Sequence, residues 1–489
     1  MGSRSMKPDA AFKTRHIVSI NDLSNQEIEA IFRLAQDYLE KLCDPNCAYR
    51  IARSTDVAAD FILASLFYEP STRTRLSFES AMLRLGGDVI TSADPATSSA
   101  AKGESLADSV RVIANYADVI VIRHPRDGAA RLAAEYSRIP VINGGDGSHE
   151  HPTQTLCDIF TLSKKNKQLK NLKVAISGDL KGSRTIHSFV YALARFGARI
   201  VPMPAPGMEL PAHVRERLRS DFGCAFDAAD GSIGALYKTP EEPHQPALFA
   251  GPEFEFKVDQ HEATRTRASR RQKIAAVYVT RFQKERWPLE ERQYPKIDAK
   301  FLREPKYSRA SVLHPLPRVD ELDVALDKDQ RAIYFEQAAY GVPIRMALIS
   351  LLLGAGEAKP LSTFAGGFAK SRFALYQQPH GLGIRCANRN CIVHEEKEAP
   401  YVQNKFHLIE GEASSPARLR CLYCESDIEE FVVANKKSRW FAPDRAVLAE
   451  VNDHNVREFV FFAHESDAVK NGFHSRKHSR PSRAATNRA

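Results

Sequence analysis

The chain carries its chemically capable residues in turns. The stretch Ser71-Thr72-Arg73-Thr74-Arg75 follows the apolar run Phe61 to Phe67 and opens a pattern in which Leu76, Phe78, Met82, Leu83 and Leu85 recur at helical spacing. A strand that runs through hydroxyl residues into a helix leaves unpaired backbone N–H groups aimed at one spot, and the helix dipole favours an anion there. Ser71, Thr72 and Thr74 add donors, and Arg73 adds a planar cationic fork suited to phosphate. An ordinary N-cap flanked by surface arginines would leave a similar local pattern. Later turns hold Lys102, Arg123-His124-Pro125, His151-Pro152-Thr153-Gln154, Arg184, Arg281-Phe282-Gln283 and His314-Pro315-Leu316-Pro317. Singly, Arg123 could be a surface charge and His151 a helix cap. Together they are a ring of cations and amides with no carboxylate pair, no Ser-His-Asp order and no metal triad. That set implies transfer between anionic partners by positioning and charge stabilisation.

The elements that must position these turns alternate. Asn21 to Leu42 reads as a helix, with Asp22 or Ser24 as its cap. Strands at Phe61–Phe67, Asp88–Thr91, Asp118–Ile122 and Pro140–Asn143 are followed by helices at Arg75–Leu85, Glu104–Tyr116, Gly128–Tyr136 and Pro152–Ser163. A second set runs from strand Leu172–Ser177 through strands near Arg199 and Ile274 to Val312-Leu313. Strands alternating with helices imply parallel sheets covered on both faces, with ligands at the carboxyl ends of the strands. The expected fold class is α/β: two parallel-sheet, three-layer domains, then a small zinc-ribbon-like β-rich module. Gln337 to Leu353 reads as one long apolar helix, despite Pro343, that packs back across the first domain. Residues 222–273, with four prolines and a basic run, read as an exposed insertion. Thr264-Arg265-Thr266-Arg267 inside it imitates the first motif, but no apolar strand leads into it.

The 489 residues suit about three domains, and 43% apolar with 26% charged residues is ordinary for a globular chain. No apolar run approaches the ~20 residues of a membrane span. Met1 to Arg15 is polar and lacks the core of a signal peptide, so a cytoplasmic protein is expected. The net charge of +9 suits anionic substrates or nucleic acid alike. Part of it falls in the Arg-, Lys- and His-rich end, read as a flexible tail. Of eight cysteines, four cluster late as Cys386-x4-Cys391 and Cys421-x2-Cys424. Two such knuckles are the spacing of one structural zinc ion per chain, with free buried thiols as the plain alternative.

Ser-Thr-Arg-Thr-Arg, His-Pro-Thr-Gln and His-Pro-Leu-Pro-Arg, in this order, resemble the transcarbamoylases. Val121 to Pro125, Gly145 to Ser148, Gly178 to Lys181, Thr280 to Arg286 and His314 to Glu321 resemble the aspartate branch. The ornithine branch would have a cysteine where Pro315 stands. The resemblance implies transfer of a carbamoyl group from carbamoyl phosphate to L-aspartate in de novo pyrimidine (UMP) synthesis, with no cofactor for the chemical step. Ser71, Thr72, Arg73 and Thr74 would hold phosphate. Thr74, Arg123 and His151 would polarise the carbamoyl oxygen. Gln154 and the backbone carbonyls of Pro315 and Leu316 would hold its NH2. Arg184, Arg281 and Gln283 would bind the aspartate carboxylates. Family enzymes are homotrimers that share active sites, and Ser98 and Lys102 match the residues a neighbour donates. Glu69 with Arg184 and Arg286 suggests an ion-pair set formed on domain closure.

The strings around Cys386–His394 and Cys421–Glu425 resemble the zinc domain of the aspartate transcarbamoylase regulatory chain. That chain's nucleotide-binding domain has no room between Leu353 and Cys386. The expectation is therefore no CTP inhibition through it, and a module that serves assembly, joining trimers. The implied organisation is a flexible N-terminus (1–15), a carbamoyl-phosphate domain (16–150) and an aspartate domain (151–330). A closing helix (331–353), a linker (354–380), the zinc domain (381–445) and an extension with a basic tail (446–489) follow. Two rivals are a transcarbamoylase for another amine and a non-catalytic zinc protein that binds nucleic acid.

Overall fold

Apolar runs of four to seven residues, each closed by a polar turn, become buried strands. The computed structural model describes residues 15–92, 99–227, 231–235, 273–283, 294–356, 373–377, 382–409, 417–442, 448, 451 and 454–476. The chain divides into two compact units, 1–368 and 369–489.

In the first unit, β1 (Ile62–Phe67), β2 (Asp88–Ser92), β3 (Val119–His124) and β4 (Val141–Asp146) form a parallel sheet in the order β2-β1-β3-β4. β1, β3 and β4 are buried almost throughout, as strands covered on both faces must be. The helices are α1 (Asn25–Leu42), α2 (Thr72–Arg84), α3 (Leu106–Ile113), α4 (Ala129–Tyr136) and α5 (Pro152–Lys165). A second sheet comprises β5 (Lys173–Gly178), β6 (Arg199–Pro204), β7 (Cys224–Asp227), β8 (Ser232–Ala235), β9 (Ala276–Val279) and β10 (Ser311–Leu313). Its order is β10-β9-β5-β6-β8-β7. The first four strands run parallel, and β8 joins β6 antiparallel. Helices α6 (Arg184–Arg195) and α7 (Ala212–Ser220) accompany it.

Both sheets have a switch in strand order. In the first, successive connections leave β1 toward β2 on one side and reach β3 on the other. In the second, β6 and β9 flank β5. A crevice opens at the carboxyl ends of the strands at each such point. Ser71–Thr74, Arg184 and Arg281 follow β1, β5 and β9, the first two at helix N-termini, and Arg123 lies near the carboxyl end of β3 itself.

Three expectations change. The N-terminal helix is shorter than Asn21–Leu42: Ser19 caps a 3-10 turn at Ile20–Asp22, Leu23 is extended, and Ser24 with Glu27 forms a capping box that starts α1. The closing helix is two helices, α8 (Tyr334–Ala339) and α9 (Gly341–Leu353), broken at Tyr340. Pro343 therefore lies in a first turn, where its missing N–H forfeits no bond. α9 packs against α1, α2 and α5. The segment read as an exposed insertion from residue 222 begins as the β7–β8 hairpin, with Ile233 paired to Ile200 at the sheet edge. Residues 236–272, including Thr264–Arg267, lie outside the described residues.

The second unit is built of short antiparallel strands. β11 (Phe373–Gln377), β12 (Lys405–Ile409), β13 (Arg418–Cys421) and β14 (Asp427–Ile428) pair in that order. β15 (Val432–Asn435), β16 (Trp440–Ala442), β17 (Phe459–Phe462) and β18 (His474–Ser475) form a second sheet in the order β17-β15-β16-β18. Its core holds Val432, Phe441, Val460, Phe462 and Phe473. A linker to 380 and a domain end at 445 therefore do not describe this unit. β11 pairs with β12 across the first limit, and β17 pairs with β15 across the second. Among the described residues no helix is long and apolar enough to cross a membrane.

Candidate active site and thiolate cluster

Three helices of the first unit begin at one cavity of about 380 Å³, which Thr72, Gln154 and Arg184 line from α2, α5 and α6. Their N-cap residues, Ser71, His151 and Ser183, make no side-chain cap bond to the first-turn N–H groups. By contrast, Ser24 and Ser105 cap α1 and α3 in the usual way. Orphan N–H groups and three dipole ends thus face a common space, an arrangement that favours negative charge.

The side chains add to that field. Arg73 and Arg281 both line the cavity. Burial first, then the charge of Arg281, holds the Arg73 guanidinium below its usual range. Glu69 takes bonds from Arg123 Nη2 at 2.8 Å and from Arg184 Nη1 at 3.0 Å. Arg184 also donates to the Gly147 carbonyl at 2.9 Å. Gly145 sits against both guanidinia. Its φ is +112°, and a Cβ there would come within 3.2 Å of Arg184 Nε and 3.3 Å of Arg123 Nη1. Only glycine suits that conformation and that close approach.

His151 is buried, its backbone N–H held by Ser188 Oγ at 2.8 Å and its Nε2 3.5 Å from Thr74 Oγ1. Burial, then the charges of Arg123, Arg184 and Arg345, hold this imidazole well below the usual histidine range. It is therefore neutral at pH 7 and can donate one hydrogen bond without adding charge. Across the cavity, His314 accepts the Leu316 N–H on Nδ1 at 2.7 Å and donates from Nε2 to Glu321 at 2.7 Å. Those two bonds set its tautomer and the shape of the turn that carries Pro315 and Leu316.

Ser71, Thr72, Arg73, Thr74, Arg123, His151, Gln154, Arg184, Arg281, Gln283, Pro315 and Leu316 all line this one cavity. Lys102 does not: it is exposed at the end of the 3-10 turn Ser99–Lys102. Ser98 and Arg286 lie outside the described residues. Arg345 and Thr280 line the cavity without having been singled out. Arg345 projects from the apolar α9, with its guanidinium over the Phe78 ring at 4.9 Å. A lone arginine in so apolar a run was the signal available for it. Asp158 and Gln337 support the cavity from behind its lining. Asp158 lies one turn after Gln154 on α5 and bonds it at 2.7 Å, an i,i+4 spacing visible in the sequence.

In the second unit, Cys386, Cys391, Cys421 and Cys424 are buried with their sulfurs all within 4.8 Å of one another. Cys386 and Cys424 are 3.4 Å apart, and Cys391 and Cys421 are 3.9 Å apart. None is in a disulfide. A tetrahedral thiolate site with metal–sulfur bonds of ~2.3 Å has sulfur edges of roughly 3.8 Å, so this set fits a single ion. Bonding to the other three thiols pushes Cys391 far above the usual thiol range. A bound cation is what would hold all four as thiolates. His394 donates from Nε2 to the Cys386 carbonyl at 2.8 Å, and it is not among the four clustered sulfur ligands.

Residues 15–164 match the carbamoyl-P binding domain of the aspartate/ornithine carbamoyltransferases, and residues 239–352 match the Asp/Orn binding domain of the same family. Residues 380–434 match the metal binding domain of the aspartate carbamoyltransferase regulatory chain. The aspartate carbamoyltransferase catalytic subunit of Clostridium kluyveri is 40% identical over 347 residues, 70% of this chain and 99% of its own. That of Thermococcus kodakarensis is 40% identical over 349 residues, 70% and 98%. The M. jannaschii catalytic subunit superposes with a TM-score of 0.53 at 38% identity, covering 71% of this chain and 100% of its own. The Trypanosoma cruzi aspartate transcarbamoylase solved with carbamoyl phosphate gives 0.55 at 32% identity, covering 69% and 95%. The chain therefore belongs to the aspartate/ornithine carbamoyltransferase family, with a regulatory-chain type of metal-binding domain on the same polypeptide.

Proposed function

We propose that this chain is an aspartate carbamoyltransferase, which moves the carbamoyl group of carbamoyl phosphate to the α-amino group of L-aspartate. The products are N-carbamoyl-L-aspartate and phosphate, a step of pyrimidine synthesis. One observation carries the reading: cations from the switch points of both sheets open on a single cavity that no carboxylate lines among the described residues. A dianion and a dicarboxylate together would supply the missing negative charge. The T. cruzi relative has been solved with carbamoyl phosphate and aspartate together.

In this reading Ser71 to Thr74 and the N-terminus of α2 hold the phosphate. Thr74, Arg123 and neutral His151 donate to the carbamoyl oxygen, where charge builds as the amine attacks. Gln154 Oε1 and the Pro315 and Leu316 carbonyls accept from the carbamoyl NH2. Arg184, Arg281 and Gln283 take the aspartate carboxylates. The new C–N bond forms as the C–O bond to phosphate breaks, and the departing phosphate takes the amine proton. Glu69 competes with aspartate for Arg184, so substrate binding must re-partner that arginine.

Exposed Lys102, with Ser98, would complete a neighbouring subunit's cavity in a homotrimer. The four thiolates would hold one zinc ion, which supplies cross-linking of two knuckles and no step of the transfer. A cytoplasmic setting suits both reduced thiols and this substrate pair. The test is a panel of amine acceptors with labelled carbamoyl phosphate. Labelled carbamoyl-aspartate as the dominant product supports the reading, and transfer only to another amine, or none, contradicts it.

A further inference from the structure

Asp158 is fully buried and makes three bonds, of which only the one to Gln154 reaches a residue that lines the cavity. Its Oδ1 accepts from Gln154 Nε2 at 2.7 Å and from Gln337 Nε2 at 2.6 Å, and its Oδ2 accepts from the Tyr278 hydroxyl at 2.8 Å. A carboxylate can only accept, so each glutamine must turn its NH2 toward it. Gln337 is fixed from its other end too. Its Oε1 accepts the His314 backbone N–H at 2.9 Å, a group that can only donate. Gln154 lines the cavity, and with its NH2 committed to Asp158 its Oε1 is the end that remains for a ligand.

We propose that Asp158 is a positioning residue that makes one end of the cavity all-acceptor, and so selects a donor substrate that bears an NH2 group. It acts along two routes. It orients Gln154 directly, and through Gln337 it anchors the turn whose Pro315 and Leu316 carbonyls meet the same NH2. The inference rests on the carbamoyl-transfer reading above. It deepens that reading by assigning the choice of acyl donor to a residue outside the cavity lining. Acetyl phosphate has the same shape with CH3 in place of NH2, and it would leave buried acceptors unpaired. In Asp158→Leu, which keeps the branched shape but offers no acceptor, both glutamine NH2 groups lose their partner. Gln154 is then no longer held with Oε1 toward the cavity and can offer N–H where the substrate also offers N–H.

The experiment measures binding of carbamoyl phosphate, acetyl phosphate and inorganic phosphate to the full-length wild type and to Asp158→Leu by calorimetry. The wild type is to prefer carbamoyl over acetyl phosphate. Asp158→Leu is to lose roughly tenfold or more of that preference, with inorganic phosphate within about twofold of wild type. Should Asp158→Leu fail to fold, Gln337→Met breaks only the second route and is to lose about fivefold of the preference. An unchanged preference, or an equal loss for all three ligands, overturns the inference. A wild type that forms no carbamoyl-aspartate overturns the reading beneath it instead.

Discussion

In the first unit, Arg73, Arg123, Arg184, Arg281 and Arg345 converge on one cavity. In the second, four sulfurs converge within 4.8 Å of one another. The first gathers like charges, and the second gathers thiols that become like charges once they are deprotonated. The difference lies in what holds them there. The arginines are anchored by the rest of the fold: Glu69 under Arg123 and Arg184, the Gly147 carbonyl, and the Phe78 ring under Arg345. They stay in place without a ligand, and the field is preorganised for one. The thiols bond chiefly to each other, beside the short strands and 3-10 turns that carry them. An ion held by all four would be part of the fold and not a passing guest.

Removing the metal is the harshest way to break that contrast. Cys391→Ser is expected to lose stoichiometric metal and the β-sheet signal of the second unit. Structural zinc sites contribute on the order of 10 kcal/mol, more than two four-stranded sheets can replace. The first unit should be spared, with phosphate affinity within about threefold of wild type. Metal analysis and phosphate calorimetry on the same sample check both halves. A parallel loss of phosphate binding would show that the units are not independent.

Within the cavity, Arg73→Ala should have the largest effect. Arg73 faces the leaving phosphate in the proposed arrangement, and loss of one such donor costs about 10³-fold in kcat/KM. A fall under tenfold would move the phosphate elsewhere in the cavity.

Asp158 sharpens the comparison from the stability side, because it is a fully buried carboxyl group that three neutral donors hold. Burial raises its carboxyl to about 6, against the hydrogen bonds from Gln337, Gln154 and Tyr278, which lower it. The fold thus holds this proton more tightly than the unfolded chain does. The resulting stability is complete below about pH 4 and is lost as pH rises through about 6. Relative to Asp158→Asn, the wild type should lose up to about 3 kcal/mol between pH 4 and pH 7. Urea titrations of the two proteins across that range check the sign, and a wild type that gains stability relative to Asp158→Asn as pH rises would contradict it.

The smallest effect is expected at Glu69. Glu69→Gln leaves the shape but removes the anion that holds Arg123 and Arg184. Aspartate KM should change by about tenfold while phosphate affinity holds. Steady-state kinetics at fixed carbamoyl phosphate decides it, and unchanged constants would deny Glu69 any part in the cavity.

These elements were not equally legible. Ser71–Thr74, Arg123, His151 and Arg281 could be read because each follows an apolar run and breaks it with a cation or hydroxyl. The parallel sheets followed from the same alternation. The cysteine pairs were legible by spacing alone. Asp158 was hidden, because an acidic residue one turn along a helix usually faces water; only the tertiary fold shows that Gln337 and Tyr278 meet it. The β7–β8 hairpin was lost in a proline-rich, charged context, although Ile233 has an apolar partner in Ile200. The second sheet of the cysteine-bearing unit was missed for a related reason. Phe459–Phe462 is apolar, but its partner at Val432–Asn435 is more than twenty residues away, and no local pattern names it.

The central claim is that charge at the two switch points acts on one ligand space. One molecule joining a phosphonate to an aspartate-like dicarboxylate tests it most directly, with the T. cruzi relative already solved in complex with N-(phosphonacetyl)-L-aspartic acid. Calorimetry should compare that compound with inorganic phosphate and succinate, each alone. Its dissociation constant is expected to lie at least about 10²-fold below that of either fragment, as joined fragments in one preorganised space give. An affinity no better than the stronger fragment would mean that the two sets of arginines serve separate sites.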